Sequence, residues 1–315
     1  MMIGNFNRNL QMNQAKMNRF QSQLATNRKM VRISDDPVNV IKSLNARSRL
    51  SSIEQYQRNL SDAQGWLSQS ETAVSELNEV IKRVYELSVN LANEVKTPED
   101  RQAAAFEIKE LMEHIVTIGN TTLGDKHLFG GFNVTRAPFA VNSDGDLTFN
   151  GISMTDTASP SLKPPPNVTL RDDLLDLDQI IRYEIGFGVD LPISISGVSV
   201  MGLDDNNIYA QMKRFHEMAS SPVIEDLQPF IGIFQDLQKN VISIMAEIGG
   251  RQNRLDMMKD RFDQDVINYT RMKSDVEDLD QAEAIMWYSM AEAVYRAALS
   301  VGGRILQPTL VDFLR

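Results

Sequence analysis

The sequence predicts a mainly α-helical fold with a β-rich insert, in which an elongated antiparallel helical bundle carries a smaller outer β domain. Two apolar seams with heptad spacing support this prediction, one from Leu227 to Leu279 and one from Ile53 to Val95. A period of 3.5 residues that persists over several heptads indicates long helices that bury a narrow stripe against partner helices. Between about Gly130 and Pro222 the helical period is lost, which places the β-rich insert there.

Composition and charge exclude several classes of protein. The 315-residue chain contains no cysteine, so disulfides and thiol chemistry are excluded. No apolar run is long enough for membrane insertion, and the N-terminus lacks the apolar core of a cleaved signal peptide. The net charge is −10, yet residues 1–60 hold ten Lys or Arg against three Asp or Glu, a local +7. Because no aromatic residues interleave with these basic residues, nucleic acid is not an expected partner.

The first helix has a thin apolar stripe and poor intrinsic stability. The stripe residues lie at heptad spacing, and they are Ile3, Phe6, Leu10, Met17, Phe20 and Leu24. Polar Asn13 occupies the remaining stripe position, and the other positions are rich in Asn, Gln and Met. Such a helix is marginal in isolation, so we expect it to order only against partners.

The chain then breaks and restarts. Asn27 suits the left-handed cap that ends a helix. In Ser34-Asp35-Asp36-Pro37, Asp36 can cap the next helix and Pro37 suits its first position. A metal site at the paired aspartates is the alternative, but no further ligand lies nearby in the sequence.

The second helix and its partners predict one bundle. Thr97 and Pro98 end the second helix and cap a third, whose apolar face runs from Ala104 to Ile118. Three seams of matching period, at 53–95, 104–118 and 227–279, can wrap one antiparallel bundle. Arg251 and Asp265 interrupt the last seam.

The middle of the chain reads as strands and turns. Alternating apolar residues flank Asp144-Gly145, a β-hairpin pattern. Further strands are predicted from the apolar residues Ile193, Ile195, Val198 and Val200. Asn206 and Asn207 are candidate caps of a short helix. The group Asn142, Asp144 and Asp146 resembles the start of a calcium loop, but the required Glu is missing, which favours turn chemistry. A solvated acidic face is expected from Asp172, Asp173, Asp176 and Asp178.

The C-terminal end combines small residues with an apolar tail. Beyond Leu279 the seam residues are mostly alanines, which bury little area each. The tail after Ile305 contains several large apolar residues around Pro308, which is unusual for a linker that contacts nothing. The predicted segments are 1–40 and 276–315 as axial ends that are disordered in the monomer, 41–130 and 223–275 as rod helices, and 131–222 as the outer domain.

No catalytic constellation is present in the sequence. His114, His127 and His216 are scattered without metal-ligand spacing, and no phosphate loop, nucleophile elbow or zinc-protease motif occurs. We therefore expect a protein that is not an enzyme, with no catalytic residues, no cofactor and no metal.

Short blocks near both ends match a known family. In the N-terminal part these blocks are Ser34-Asp35-Asp36-Pro37-Val38, Arg49-Leu50, Gln55-Tyr56-Gln57-Arg58-Asn59, Trp66-Leu67 and His127-Leu128-Phe129-Gly130-Gly131. In the C-terminal part they are Ala282-Glu283-Ala284, Tyr295-Arg296-Ala297-Ala298-Leu299 and Gln307-Pro308-Thr309-Leu310-Val311-Asp312-Phe313-Leu314. On these blocks the chain resembles the hook-associated protein 3 family of bacterial flagella, relatives of flagellin. Flagellin usually has Asp-Asp-Ala-Ala-Gly where this chain has Asp35-Asp36-Pro37-Val38-Asn39, so the junction family fits better.

The resemblance implies a structural adaptor at the hook-filament junction, exported through the flagellar type III channel without a cleaved signal peptide and located outside the cell. The implied partners are hook-associated protein 1, flagellin, neighbouring copies in a ring, and an export chaperone at the C-terminal segment. The expected assembly interface comprises the helix-one stripe, Ser34, Asp35, Asp36, Pro37, Ala293, Ala297, Ile305, Pro308, Leu310, Phe313 and Leu314.

Three alternatives remain open from the sequence. A flagellin-like filament subunit would polymerise by itself into long filaments. A cytoplasmic coiled-coil scaffold would form stable oligomers in dilute solution. An exported cell-wall enzyme would release soluble peptidoglycan fragments, although the missing catalytic constellation argues against it.

Overall fold

The architecture was obtained from a computed structural model. It describes residues 2–30, 32–34, 36–93, 97–155, 179–203, 206–221 and 227–305, except for the side chains of residues 2, 3, 93, 304 and 305. Long helices and three small antiparallel sheets make up the described chain, which confirms the predicted helical class with a β-rich insert. The acidic residues between 172 and 178 and the tail beyond 305 lie outside the described residues.

Helices account for most of the described residues. In chain order they are α1 Met2–Thr26, α2 Pro37–Asn93, α3 Pro98–Gly119, α4 Gly197–Met201, α5 Ile208–Ser220, α6 Gln228–Glu277 and α7 Gln281–Ile305. The strands are β1 Thr122–Leu123, β2 Lys126–His127, β3 Phe139–Val141, β4 Leu147–Phe149, β5 Ile152–Ser153, β6 Arg182–Gly186 and β7 Val189–Pro192. The predicted boundary at residue 40 falls inside α2, and α6 runs without interruption through Gly249-Gly250.

Local capping explains where several helices begin and end. Asn27 adopts a left-handed conformation after α1, with a φ of 54°. Asp36 Oδ1 accepts a hydrogen bond from the Asn39 backbone nitrogen at 3.1 Å. The Thr97 hydroxyl accepts from the Asp100 nitrogen, and the Asn207 side chain accepts from the Ala210 nitrogen. These contacts satisfy backbone donors that the first helical turn leaves free, and they confirm the predicted caps.

The chain divides into two compact units. Residues 55–261 form the bundle unit, and residues 1–54 with 262–315 form the terminal unit. In the bundle unit, hydrogen bonds join Gln64 to Asp256 and Gln252 to Glu71. The numbers rise on α2 as they fall on α6, so the two helices are antiparallel. An ion pair from Arg83 to Glu107 and a contact of 3.1 Å between His114 Nε2 and Glu76 Oε1 place α3 antiparallel to α2 as well.

The predicted seams supply the core of the bundle unit. Side chains with no exposed area include Leu67, Val74, Leu77, Ile81, Val84, Ile108, Ile115, Phe234, Val241 and Ile248. Phe215 of α5 packs between Phe230 and Phe234 of α6, with ring centroids 5.2 and 5.4 Å away. Burial of this many large apolar side chains is the main favourable term for folding of the unit.

Arg251 interrupts the α6 seam because its guanidinium donates hydrogen bonds to backbone carbonyl oxygens. Its Nη1 donates hydrogen bonds to the carbonyl oxygens of Pro192 and Ser194, each at 3.2 Å. Its Nη2 donates to Glu247 one turn earlier on α6. The guanidinium therefore joins α6 to the segment that follows β7, where the backbone carbonyls need donors.

The β-rich insert contains the predicted hairpin, but the four apolar residues from which further strands were predicted lie outside strands. β3 and β4 pair antiparallel across Asp144-Gly145, and Gly145 has a φ of 75°, as the tight turn requires. Ile193 and Ile195, predicted to lie in a strand, follow β7 in a segment that is not a strand. Val198 and Val200, predicted to lie in a strand, belong instead to helix α4, where both are buried. A short apolar run that is buried on all sides has no period that separates strand from helix.

Candidate assembly interface

The predicted stripe of the first helix faces α7. Its described members are half-buried, and they are Phe6, Leu10, Met17, Phe20 and Leu24, with Asn13 beside them. The Ile3 side chain lies outside the described part. Half-burial is the expected result where one neighbouring helix packs on an apolar stripe.

Helices α1 and α7 run antiparallel within the terminal unit. At one end the Phe6 ring packs on Gly302, so closely that a Cβ at Gly302 would lie 2.2 Å from the ring. At the other end the Gln281 side chain donates to Asn27 Oδ1 at 3.1 Å. Glycine at position 302 is therefore a packing requirement, because it lets the ring approach the helix backbone.

Most large apolar side chains of α7 remain accessible. Seven of them have exposed fractions of 42–58%, and they are Ile285, Met286, Trp287, Met290, Val294, Leu299 and Val301. By contrast, Ala284 is 4% exposed. An apolar surface of this kind on a helix pair is typical of a site that contacts another molecule.

A groove of about 350 Å³ lies between the two helices. The apolar residues Phe20, Trp287, Met290 and Val294 form part of its lining. Lys16 and Arg19 of α1 line the same groove. The groove therefore combines apolar area with positive charge, which suits an amphipathic helix that has acidic residues at its edge.

Glu277 ties the end of α6 to α2 through its buried carboxylate and to the loop after α1 through its backbone oxygen. Glu277 is 6% exposed and accepts two hydrogen bonds from Arg47, at 2.7 and 2.6 Å, and one from the Ser43 hydroxyl. The Glu277 backbone oxygen accepts from the Lys29 nitrogen at 2.8 Å. The fork of Arg47 fits both carboxylate oxygens, a strong and directional arrangement.

The same contacts set the protonation of Glu277. Hydrogen bonding from Arg47 is the largest influence, with support from Ser43, and it outweighs the opposing effect of burial. Together these contacts lower the pKa of Glu277 from 4.5 to about 2. The carboxylate is therefore charged throughout the physiological pH range.

The other predicted interface residues have mixed positions. Ser34 and Pro37 are exposed, Asp36 is half-buried as a cap, and Ala293 and Ala297 are exposed on α7. The backbone of Ile305 ends α7, while its side chain is not described. Outside the described residues lie Asp35, Pro308, Leu310, Phe313 and Leu314. Their role at an interface stays a prediction.

Sequence reasoning missed two features of this region. Trp287, Met290 and Val294 have helical i, i+3, i+7 spacing, a signal in the sequence that marks an apolar face beside the alanines. Glu277 contacts Arg47 and Ser43, although it lies 230 and 234 positions from them along the chain. No local pattern in the sequence marks such a pairing.

The described residues contain neither a metal-binding cluster nor a membrane-spanning helix. Within them, no group of three or more His, Asp or Glu is arranged to hold a metal ion. Asn142 Oδ1 accepts hydrogen bonds from the backbone nitrogens of Asp144 and Asp146, as in a turn. None of the described helices holds a stretch long and apolar enough to cross a membrane.

Known proteins similar to this chain are components of the bacterial flagellum. Residues 1–133 match the bacterial flagellin N-terminal helical region. The chain is 21% identical to flagellar hook-associated protein 3 of Escherichia coli over 300 residues, which are 90% of this chain and 89% of that protein. It is 23% identical to the flagellar filament 33 kDa core protein of Treponema phagedenis, over 98% of this chain and 92% of the relative.

Solved structures share the fold. A putative flagellar hook-associated protein from Vibrio parahaemolyticus superposes with a TM-score of 0.63 at 22% identity, covering 78% of this chain and all of that one. The flagellar junction protein FlgL from Legionella pneumophila gives a TM-score of 0.58 at 12% identity, covering 75% and 100%. The chain is thus similar to the N-terminal helical region of bacterial flagellins over residues 1–133 and to hook-associated protein 3 along most of its length.

Proposed function

We propose that this chain is a structural adaptor of the bacterial flagellum, located outside the cell, that joins the hook to the flagellin filament. The observation that carries the proposal is the α1/α7 helix pair, whose apolar side chains are half-exposed beside a basic groove. The similarity to hook-associated protein 3 over 90% of the chain supports the same function.

The proposed partners follow from that position. Hook-associated protein 1 contacts one side of the subunit, flagellin contacts the other, and neighbouring copies form a ring. An export chaperone holds the C-terminal segment before the chain passes unfolded through the flagellar export channel without a cleaved signal. The absence of cysteine supports this route, because no disulfide has to be reduced before passage.

Assembly provides the energy that orders the ends. In the isolated chain, α7 buries little large apolar area, so its packing offsets only part of the entropy lost on ordering. When partner helices cover the groove and the exposed side chains, the ordering of residues 1–40 and 276–315 becomes favourable. Their folding is therefore coupled to assembly.

The test uses a strain that lacks the gene and has hooks without filaments. Val294→Asp places a charge in the apolar groove, and Leu310→Asp does so in the tail. We expect both variants to be exported but absent from purified flagella, whereas the wild-type chain restores filaments. Phe132→Asp is the control, because Phe132 is 62% exposed, belongs to the bundle unit and is not among the residues that line the groove. Normal filaments with Val294→Asp would contradict the proposal.

A flagellin-like filament subunit is the second candidate. The similarity to the Treponema filament core protein along 98% of the chain favours it. Purified chain that polymerises alone into long filaments would support this candidate over the junction adaptor.

A further inference from the structure

The β6–β7 hairpin presents an exposed aromatic knob. Phe187 at its tip is 82% exposed, a larger fraction than any other large apolar side chain among the described residues for which an exposure is known. Glu184 and Asp190 are cross-strand partners just behind the tip, and both are exposed. The Glu184 carboxylate accepts a hydrogen bond from the Tyr56 hydroxyl of α2 at 3.2 Å. The tip therefore presents one apolar ring close to the Asp190 carboxylate.

A cleft of complementary character lies between α3 and α5. Its volume is about 660 Å³, within the range of roughly 300–1,000 Å³ that is typical of binding pockets. Pro98, Ala105 and Phe106 give it apolar walls, and Phe106 is 64% exposed. Arg101 and Lys109 also line the cleft, and no carboxylate does so among the described residues that line it.

The knob and the cleft of one chain cannot meet. Asn59 of α2 donates to the Glu184 backbone oxygen at 2.7 Å, which fixes the hairpin near that point. Arg83 of α2 pairs with Glu107, the neighbour of Phe106 in the cleft wall. Twenty-four residues of helix separate Asn59 from Arg83, or about 36 Å, whereas the three residues from Glu184 to Phe187 span about 10 Å.

We propose, building on the function proposed above, that the hairpin tip of one subunit inserts Phe187 into the α3/α5 cleft of a second copy of this chain. The ring contacts the apolar walls, and Asp190 lies opposite Lys109. Because knob and cleft are different surfaces, the contact is heterologous, and it repeats from copy to copy instead of closing a two-fold dimer. Such a contact suits a subunit that assembles into a ring or a helical layer.

Cysteine trapping tests the contact directly, because the natural chain has no cysteine. Full-length Phe187→Cys and Gln102→Cys, which places the thiol in the cleft wall, are purified separately, mixed at high concentration and oxidised. We expect disulfide-linked heterodimers at about tenfold the yield of a control mixture of Phe132→Cys with Gln102→Cys. A yield equal to the control overturns the inference. So does an intramolecular disulfide in the dilute double variant.

Charge exchange provides the second arm. Lys109→Glu in the cleft chain should lower the heterodimer yield several-fold, and Asp190→Lys in the hairpin chain should restore it. Failure of the exchange to restore the yield contradicts the proposed orientation. If trapping fails while the wild-type chain restores filaments in the cell, the cleft contact is wrong and the junction function stands. If trapping succeeds and the chain is absent from flagella, the junction function is wrong.

Discussion

The two units of this chain differ in how completely they bury their apolar side chains. In the bundle unit, the seams of α2, α3 and α6 meet one another, and side chains such as Leu77, Ile108 and Phe234 have no exposed area. In the terminal unit, Trp287 and Met290 of α7 remain 42% and 58% exposed. A heptad stripe alone therefore does not determine whether a helix is stable within the chain. The number of helices available to cover the stripe determines it.

This difference has a functional meaning under the proposed assembly. A helix pair that leaves apolar surface uncovered has a reserve of binding free energy for a neighbouring subunit. A bundle that has already buried its seams gains little from new partners. Under the proposed assembly, the bundle unit therefore supplies most of the chain's own stability, and the terminal unit supplies most of the apolar surface for partner helices.

Limited proteolysis should show the largest difference between the two units. We expect a trace of protease to cleave the terminal unit of the purified chain at least about a hundredfold faster than the bundle unit, because local opening needs less free energy where little area is buried. Mass spectrometry should identify a surviving core of about residues 45–275. Equal resistance of the whole chain would show that the ends are stable without partners.

Removal of the Glu277 charge should have the next largest effect. Glu277→Gln breaks a buried pair with Arg47, whose own side chain is 40% exposed, so we expect a loss of about 2 kcal/mol in the terminal unit. The protection of α7 amides against hydrogen exchange measures it. The matched control is Glu292→Gln, which breaks the exposed i,i+4 pair with Arg296 and should change protection by less than about 0.5 kcal/mol.

The pH dependence of the same site has a defined sign. The folded-state pKa of Glu277, about 2, lies below the value of its free carboxyl, so its contribution is complete above about pH 4.5 and declines as the pH falls towards 2. The stability difference between wild type and Glu277→Gln should therefore shrink over this interval. A difference that stays constant from pH 6 to pH 2.5 would exclude the ion pair as its cause.

The smallest expected effect distinguishes two adjacent glycines of α7. Gly302→Ala should destabilise the α1/α7 pair by about 1 kcal/mol, because the new Cβ would displace the Phe6 ring. Gly303→Ala meets no atom within 4 Å and should stabilise α7 by about 0.5–1 kcal/mol through helix propensity. Thermal unfolding of the helical signal measures both. The same sign for both variants would argue against close packing of Phe6 on α7.

Particular residues show how far sequence reasoning reached. The seams predicted the long helices, Thr97 and Asn207 predicted helix starts, and Asp144-Gly145 predicted a hairpin. These features were predictable because each depends on neighbours along the chain. Val198 and Val200 were assigned to a strand and lie in a helix, since burial on all sides removes the period. The accessible residues of α7 were recognisable by spacing, but their exposure was not.

The sequence by itself determined the helical class, the heptad seams, most caps and the resemblance at both ends, because these depend on residue type and short-range order. Only the tertiary structure decided that Glu277 meets Arg47 and Ser43, that Arg251 donates to the carbonyls after β7, and that α7 remains partly uncovered. Contacts between residues far apart in the chain depend on which helices become neighbours. That choice is made by the summed packing of whole faces and leaves no mark at any single position.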